Sequence, residues 1–150
     1  MKRLVIVSVI MLSVFSGTLL AYGNVGLGIQ AGYVEPTGIT AKFWIGGQSA
    51  IDMAVGWSLS RYNGYLAAQA GYLYHFPIPL SGSGSLAPYL GIGGLMGIAN
   101  DYLGLAARIP LGLEFTYAPI GVYVQLDPLL NLIPATNFGL AAGIGIRFYF

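Results

Sequence analysis

The chain has no cysteine, a single histidine and very little charge, with 6 Lys and Arg, 5 Asp and Glu, and charged residues at 7% of its 150 positions. Each shortage excludes something. Without cysteine there are no disulfides, no thiolate metal sites and no lipidated cysteine to anchor the chain. Without a cluster of basic residues there is no surface for nucleic acid. An ordinary soluble domain is roughly a quarter charged, so a chain that is 7% charged and 56% hydrophobic points to lipid as its solvent. A helical span is excluded as well. The 25 uncharged residues from 76 to 100 contain Pro77, Pro79 and Pro88, and each proline costs about 3 kcal/mol inside a helix.

The first residues have the layout of a secretory signal peptide. Lys2 and Arg3 precede an apolar run from Leu4 to Phe15, and Ala21 with Gly23 supplies the small-x-small pattern for cleavage before Asn24. The apolar run is shorter than the ~20 residues that a membrane span needs. Residues 1–23 are therefore read as a cleaved leader and 24–150 as one domain.

That domain repeats one pattern, a bulky apolar residue alternating with a small or polar one, which is the period of a strand with two unlike faces. Eight such segments follow one another. Their apolar faces run through Val25 to Tyr33, Ile39 to Ile45, Ile51 to Leu59, Leu66 to Phe76, Leu90 to Ile98, Leu105 to Tyr117, Ile120 to Leu126 and Phe138 to Phe150. Pro77 to Ser85 and Pro128 to Asn137 read as connections. The strand charges Lys42, Asp52, Arg108, Glu114, Asp127 and Arg147 all fall on the small face, as does His75.

A soluble barrel would show its polar face to solvent. Here the bulky face carries Trp57, Phe115, Tyr117, Phe148 and Phe150, and the other is mostly Gly and Ala. An arginine facing lipid at the midplane costs about 2 to 4 kcal/mol, so the charges belong inside. The expected fold is all-β: an eight-stranded antiparallel up-and-down transmembrane β-barrel in the bacterial outer membrane.

An even strand count puts both termini on one side, taken as the periplasm. Tyr74, Phe76, Phe115 and Tyr117, with Phe148 and Phe150, form an aromatic girdle there; Trp57, Tyr33 and Phe138 mark the other rim. Glu35, Arg61 and Asp101 lie in turns expected to be external. Inside, register counting places Lys42 opposite Asp52 and Arg108 beside Asp127, predicting salt bridges, with Arg147 and Glu114 close enough in height to bridge across the lumen. His75 is read as a hydrogen-bonded interior group. Ser58 and Ser60 stand at the far end of their strand from it, so no Ser-His pair forms. Gly91-x-Gly93-Gly94 is not followed by a helix that could hold a phosphate. No catalytic residue, cofactor or metal site is expected.

The closing segment GIGIRFYF resembles the signal by which the barrel-assembly machinery recognises outer-membrane proteins, with Gly145, Phe148 and Phe150 matching it and Gly143 standing where a polar residue is usual. Across residues 24–150 the pattern is similar to the small eight-stranded barrels of the OmpA/OmpX type. EPTGITAKFW and AIDMAVGW look closer still to a set of small, uncharacterised outer-membrane barrels of Gram-negative bacteria. The resemblance implies fold, location and contact with outer-membrane lipid, lipopolysaccharide and the assembly machinery, but no catalytic residue. It leaves three functional expectations: a non-enzymatic, monomeric barrel with a filled polar lumen, a narrow channel for small solutes, or a lipid-modifying enzyme.

Overall fold

The computed structural model describes residues 23–58, 65–82 and 84–150. Of the expected leader it includes Gly23 alone, and Ser60 and Arg61 also lie outside the described residues. Ten strands build one sheet: β1 (Val25–Tyr33), β2 (Pro36–Gly46), β3 (Ser49–Ser58), β4 (Leu66–His75), β5 (Ile78–Pro79), β6 (Gly84–Ala99), β7 (Tyr102–Arg108), β8 (Leu111–Tyr117), β9 (Ile120–Ile133) and β10 (Asn137–Tyr149). Because β7 and β8 are halves of one stave, both pairing with β6 and β9, and β5 is a stub on β6, the barrel has eight staves. Every pairing is antiparallel and joins staves that follow one another in the chain, and the antiparallel seam of β1 with β10, from Gly26↔Tyr149 to Tyr33↔Ala142, closes the barrel. Closure leaves no free edge to pair with another chain.

The period-two pattern sorts side chains as lipid would require. Ile29, Ile92, Ile144 and Phe148 point outward and are more than half exposed, while Lys42, Arg108 and Asp127 point inward at 0%. In water this would be an inverted protein, since Lys, Arg and Asp are almost never fully buried unless paired. No helix among the described residues is long and apolar enough to cross a membrane.

Several element boundaries differ from those expected, and β2 begins at Pro36 instead of Ile39, pairing Pro36 with Ser58. The stave from Leu105 to Tyr117 is broken at Ile109-Pro110, where proline has no N–H for the ladder, and Pro128 of β9 stands across the break with its carbonyl accepting from the Ile109 N–H at 3.0 Å. Pro128 is thus tolerated inside β9, which continues to Ile133 instead of ending at Leu126. Likewise β6 begins at Gly84, and Ile78-Pro79 pairs with Leu86 and Ser85, so much of the supposed Pro77 to Ser85 connection is sheet.

The two mouths differ. The start of β1, the end of β10, the Gly47-Gln48 turn and the Ala118-Pro119 turn share one mouth, here the terminal mouth; the turns at Val34-Glu35, Asn100-Asp101 and Pro134-Ala135 share the other, the turn mouth.

Candidate functional site

The lumen is the interior of this barrel, and eight strands leave just enough room for side chains to fill it. At the terminal mouth a vestibule of about 570 Å³ is lined by Asn24, Gln48, Ser85 and Thr116 and reaches His75 and Glu114. Lys42 holds this end together. Its ammonium pairs with Glu114, donates to His75 Nε2 at 2.7 Å and lies 4.5 Å from the centre of the Trp44 ring. Because Nε2 accepts from Lys42 and Nδ1 faces the Gln48 carbonyl at 3.3 Å, a neutral imidazole with its proton on Nδ1 satisfies both contacts. Trp44 and Tyr89 pack on the imidazole with ring centres 4.5 and 5.0 Å away, and the Tyr149 hydroxyl donates to the other Glu114 oxygen.

Mid-lumen, Arg108 joins three staves. Its Nη2 donates to both Asp52 oxygens at 2.7 Å and its Nη1 to Asp127 Oδ2 at 2.6 Å. Arg147 stacks 3.9 Å from the Tyr123 ring centre and donates to the Thr40 hydroxyl at 2.8 Å. Long side chains such as these fit because inward glycines stand opposite them. A Cβ on Gly145 would come within 2.5 Å of the Tyr123 ring, and one on Gly121 within 2.7 Å of the Tyr149 ring.

The turn mouth is closed by the chain itself. Glu35 folds inward and is 0% exposed, with Gln125 Nε2 donating to its two oxygens at 3.0 and 2.9 Å and the Gln69 and Gln30 amides at 3.4 Å. Tyr123 joins this group to the middle, its hydroxyl donating to Gln30 Oε1 at 2.6 Å. Beside the carboxyl, Val34 packs on an apolar cluster of Leu95, Ala106, Leu129 and Ala141. Burial pushes the Glu35 carboxyl up to about 7, and the neighbouring Asp127 carboxylate adds to the shift against the pull of the Gln125 amide.

These contacts revise the sequence reading in three places. Lys42 does sit opposite Asp52 in register, yet its ion pair is with Glu114 across the lumen, and Asp52 belongs to Arg108. Arg147 bonds to Thr40 and stacks on Tyr123 instead of bridging to Glu114. Glu35 is interior, not external; of the three turn charges, Asp101 is exposed. Sequence reasoning gave no role to Gln30, Gln69 and Gln125, or to Tyr89, Tyr123 and Tyr149. The available signal was the surplus of carboxylates over cations after Asn24, which asks for a buried acid with neutral donors around it.

The outward aromatics fall at both rims. Tyr74, Phe76, Phe115, Tyr117 and Phe148 are exposed around the terminal mouth, Tyr33, Trp57 and Phe138 around the other. Phe150 seals the seam, with its N–H donating to the Val25 carbonyl at 3.0 Å. As for reactive chemistry, both His75 nitrogens are engaged by Lys42 and Gln48, so neither is poised to activate Ser85 or Thr116 in the same vestibule. No group of three potential metal ligands occurs among the described residues.

A closed eight-stranded antiparallel barrel, apolar outside and polar inside, defines the class: an all-β barrel of the outer-membrane type. No protein-family profile and no curated protein matches the chain. Among solved structures it resembles the N-terminal β-barrel domain of Pseudomonas aeruginosa OprF, with a TM-score of 0.62 and 20% sequence identity over 87% of this chain and 100% of that one. At that identity the likeness is one of fold, and it agrees with the eight-stranded outer-membrane barrel expected from the sequence.

Proposed function

We propose that the protein is an integral outer-membrane barrel whose lumen is packed shut, acting as a structural or interaction element of the membrane, with its termini in the periplasm and its rim aromatics as girdles. One observation carries this: Arg108 spans the lumen between Asp52 and Asp127, and all three side chains are at most 2% exposed. Charges that lined a water path would be hydrated, whereas these are spent on one another. The closing residues Gly145, Phe148 and Phe150 serve recognition by the assembly machinery on this reading.

The vestibule favours a second reading, a narrow channel, because its lining extends inward to His75 and Glu114. Conductance of the purified protein in planar bilayers separates the two. A closed barrel leaves the baseline quiet, and steady, reproducible single-channel steps would sink it.

A further inference from the structure

We propose that the Val34-Glu35 turn is a proton-latched plug: it seats in the turn mouth while Glu35 carries a proton, and loss of that proton lets it swing out and admits water. This deepens the closed-lumen reading and rests on it.

Hairpin turns at a barrel rim belong in solvent, because only there are their polar groups satisfied without cost. This one is inserted. Val34 has φ 69, a region in which a β-branched residue is a genuine outlier, so the seat must outweigh the strain. The seat consists of the apolar cluster beneath Val34, a hydrogen bond from Ser58 Oγ to the Val34 carbonyl at 3.1 Å, and the amides around Glu35. The moving part is short: β1 pairs with β10 as far as Tyr33↔Ala142 and β2 pairs with β3 from Pro36↔Ser58, so Val34 and Glu35 alone lie outside the ladders and can turn without breaking a strand pair.

Of the charges facing Glu35, Asp127 favours its acid form and Arg108 opposes it. On β9 they are Asp127 and the hydroxyl of Tyr123, on β7 Arg108, and behind Arg108 on β3 Asp52; β1 and β4 contribute only the amides of Gln30 and Gln69. Arg108 is already committed to both aspartates. Asp127 Oδ1 has no hydrogen-bond partner, so a protonated Glu35 has an acceptor beside it. The balance of the whole lumen agrees: Lys42, Arg108 and Arg147 are buried with Asp52, Glu114, Asp127 and Glu35, and cations match anions only if one carboxyl is neutral. Ionised Glu35 would be a second anion next to Asp127 with no ion pair of its own, which a buried site tolerates poorly. Swinging the turn outward removes that charge and the strain at Val34 together.

The lack of native cysteine makes a direct test possible. Ala141, under the plug, is 0% exposed, and Ala135 in the neighbouring turn is exposed. Ala141→Cys and Ala135→Cys proteins, folded in detergent micelles, are labelled with a water-soluble maleimide at pH 5.5 and pH 8.5, the first rate being divided by the second to cancel thiol ionisation. The plug predicts that this ratio rises about tenfold or more with pH, as expected when a two-state latch passes its midpoint, and that adding Glu35→Gln holds it at the low value. A flat low ratio, or an equal rise with Glu35→Gln, overturns the plug and leaves the closed lumen standing. A high ratio at both pH values overturns both. Ala106→Cys, in the same cluster, replaces Ala141→Cys if the latter lacks the heat-modifiable gel mobility of a folded barrel.

Discussion

Replacing Arg108 with methionine keeps an unbranched stem, deletes the guanidinium and removes three charge-assisted hydrogen bonds, one at 2.6 Å and two at 2.7 Å. It also leaves Asp52 and Asp127 facing each other in a site where both are at most 2% exposed. Breaking a buried pair by removing one partner costs about 3 to 5 kcal/mol, because the stranded charge cannot regain its hydration. Here two charges are stranded by one substitution, so the upper end of that range applies to Arg108→Met. The larger part of that cost is charge, and the smaller part is the volume of the lost guanidinium. Adding Asp52→Asn and Asp127→Asn should therefore restore most of the loss, since replacing every member of a buried ion group is often neutral. Urea unfolding from lipid vesicles, followed by circular dichroism and by the fluorescence of Trp44 and Trp57, measures all three proteins. If the single and triple variants unfold at the same urea concentration, the aspartates do not need Arg108, and the account of the lumen as a charge-compensated core is wrong.

Three further outcomes follow from particular residues. The folded barrel holds the Glu35 proton more tightly than the unfolded chain, with a value of about 7 against an ordinary 4.5. The stability this contributes is therefore complete below about 4.5 and lost as pH rises through about 7, at most about 3 kcal/mol; urea midpoints should fall over that window in the native protein and lose this component in Glu35→Gln. Gly145→Leu drives a side chain into the Tyr123 ring, which already stands 2.5 Å from where a Cβ would lie, and should cost about 1 to 3 kcal/mol by overpacking, whereas Gly94→Leu, facing outward where a Cβ would meet only the Ala106 carbonyl oxygen at an ordinary 3.8 Å, should be close to neutral in the same unfolding assay. Deleting Phe150 removes its backbone pairing with Val25 at the seam and should lower the amount of heat-modifiable barrel recovered from the outer membrane more than it lowers the stability of purified protein; unchanged recovery would reduce Phe150 to a rim aromatic.

The staves were legible because lipid and lumen make opposite demands on alternate residues, and a period of two carries that contrast through every segment. Their ends were less so. Alternation continues unbroken through Ile109 and Leu111, so the missing N–H of Pro110 left no mark on the pattern, and Pro128 looked like a terminator because its ladder partner across the break could not be seen. The lumen was legible as a set of heights and not as a set of contacts. Register fixes where Lys42 leaves the wall, opposite Asp52, but a lysine side chain crosses much of a narrow barrel, and Glu114 and His75 on other staves compete for its ammonium. Glu35 was hidden for a different reason. Glu-Pro-Thr-Gly is turn chemistry, and nothing local tells a turn that projects outward from one that folds in.

Why the lumen should be filled with charge at all has an answer in register. Apolar side chains of equal volume would pack there at no greater cost, since a buried ion pair is weak support for stability. They would, however, make both faces of every strand apolar, and a strand displaced by one residue exchanges its faces completely. With Lys42, Asp52, Arg108, Glu114, Asp127 and Arg147 all turned inward, a one-residue slip in any of five staves sends a charge into lipid, at about 2 to 4 kcal/mol for each lysine or arginine near the midplane. The glycines add a steric version of the same penalty, because Tyr123 and Tyr149 fit only where Gly145 and Gly121 face them. The buried charges thus act mainly against wrong barrels, and the neutral acid of Glu35 lets the remaining three cations and three anions do so in balance.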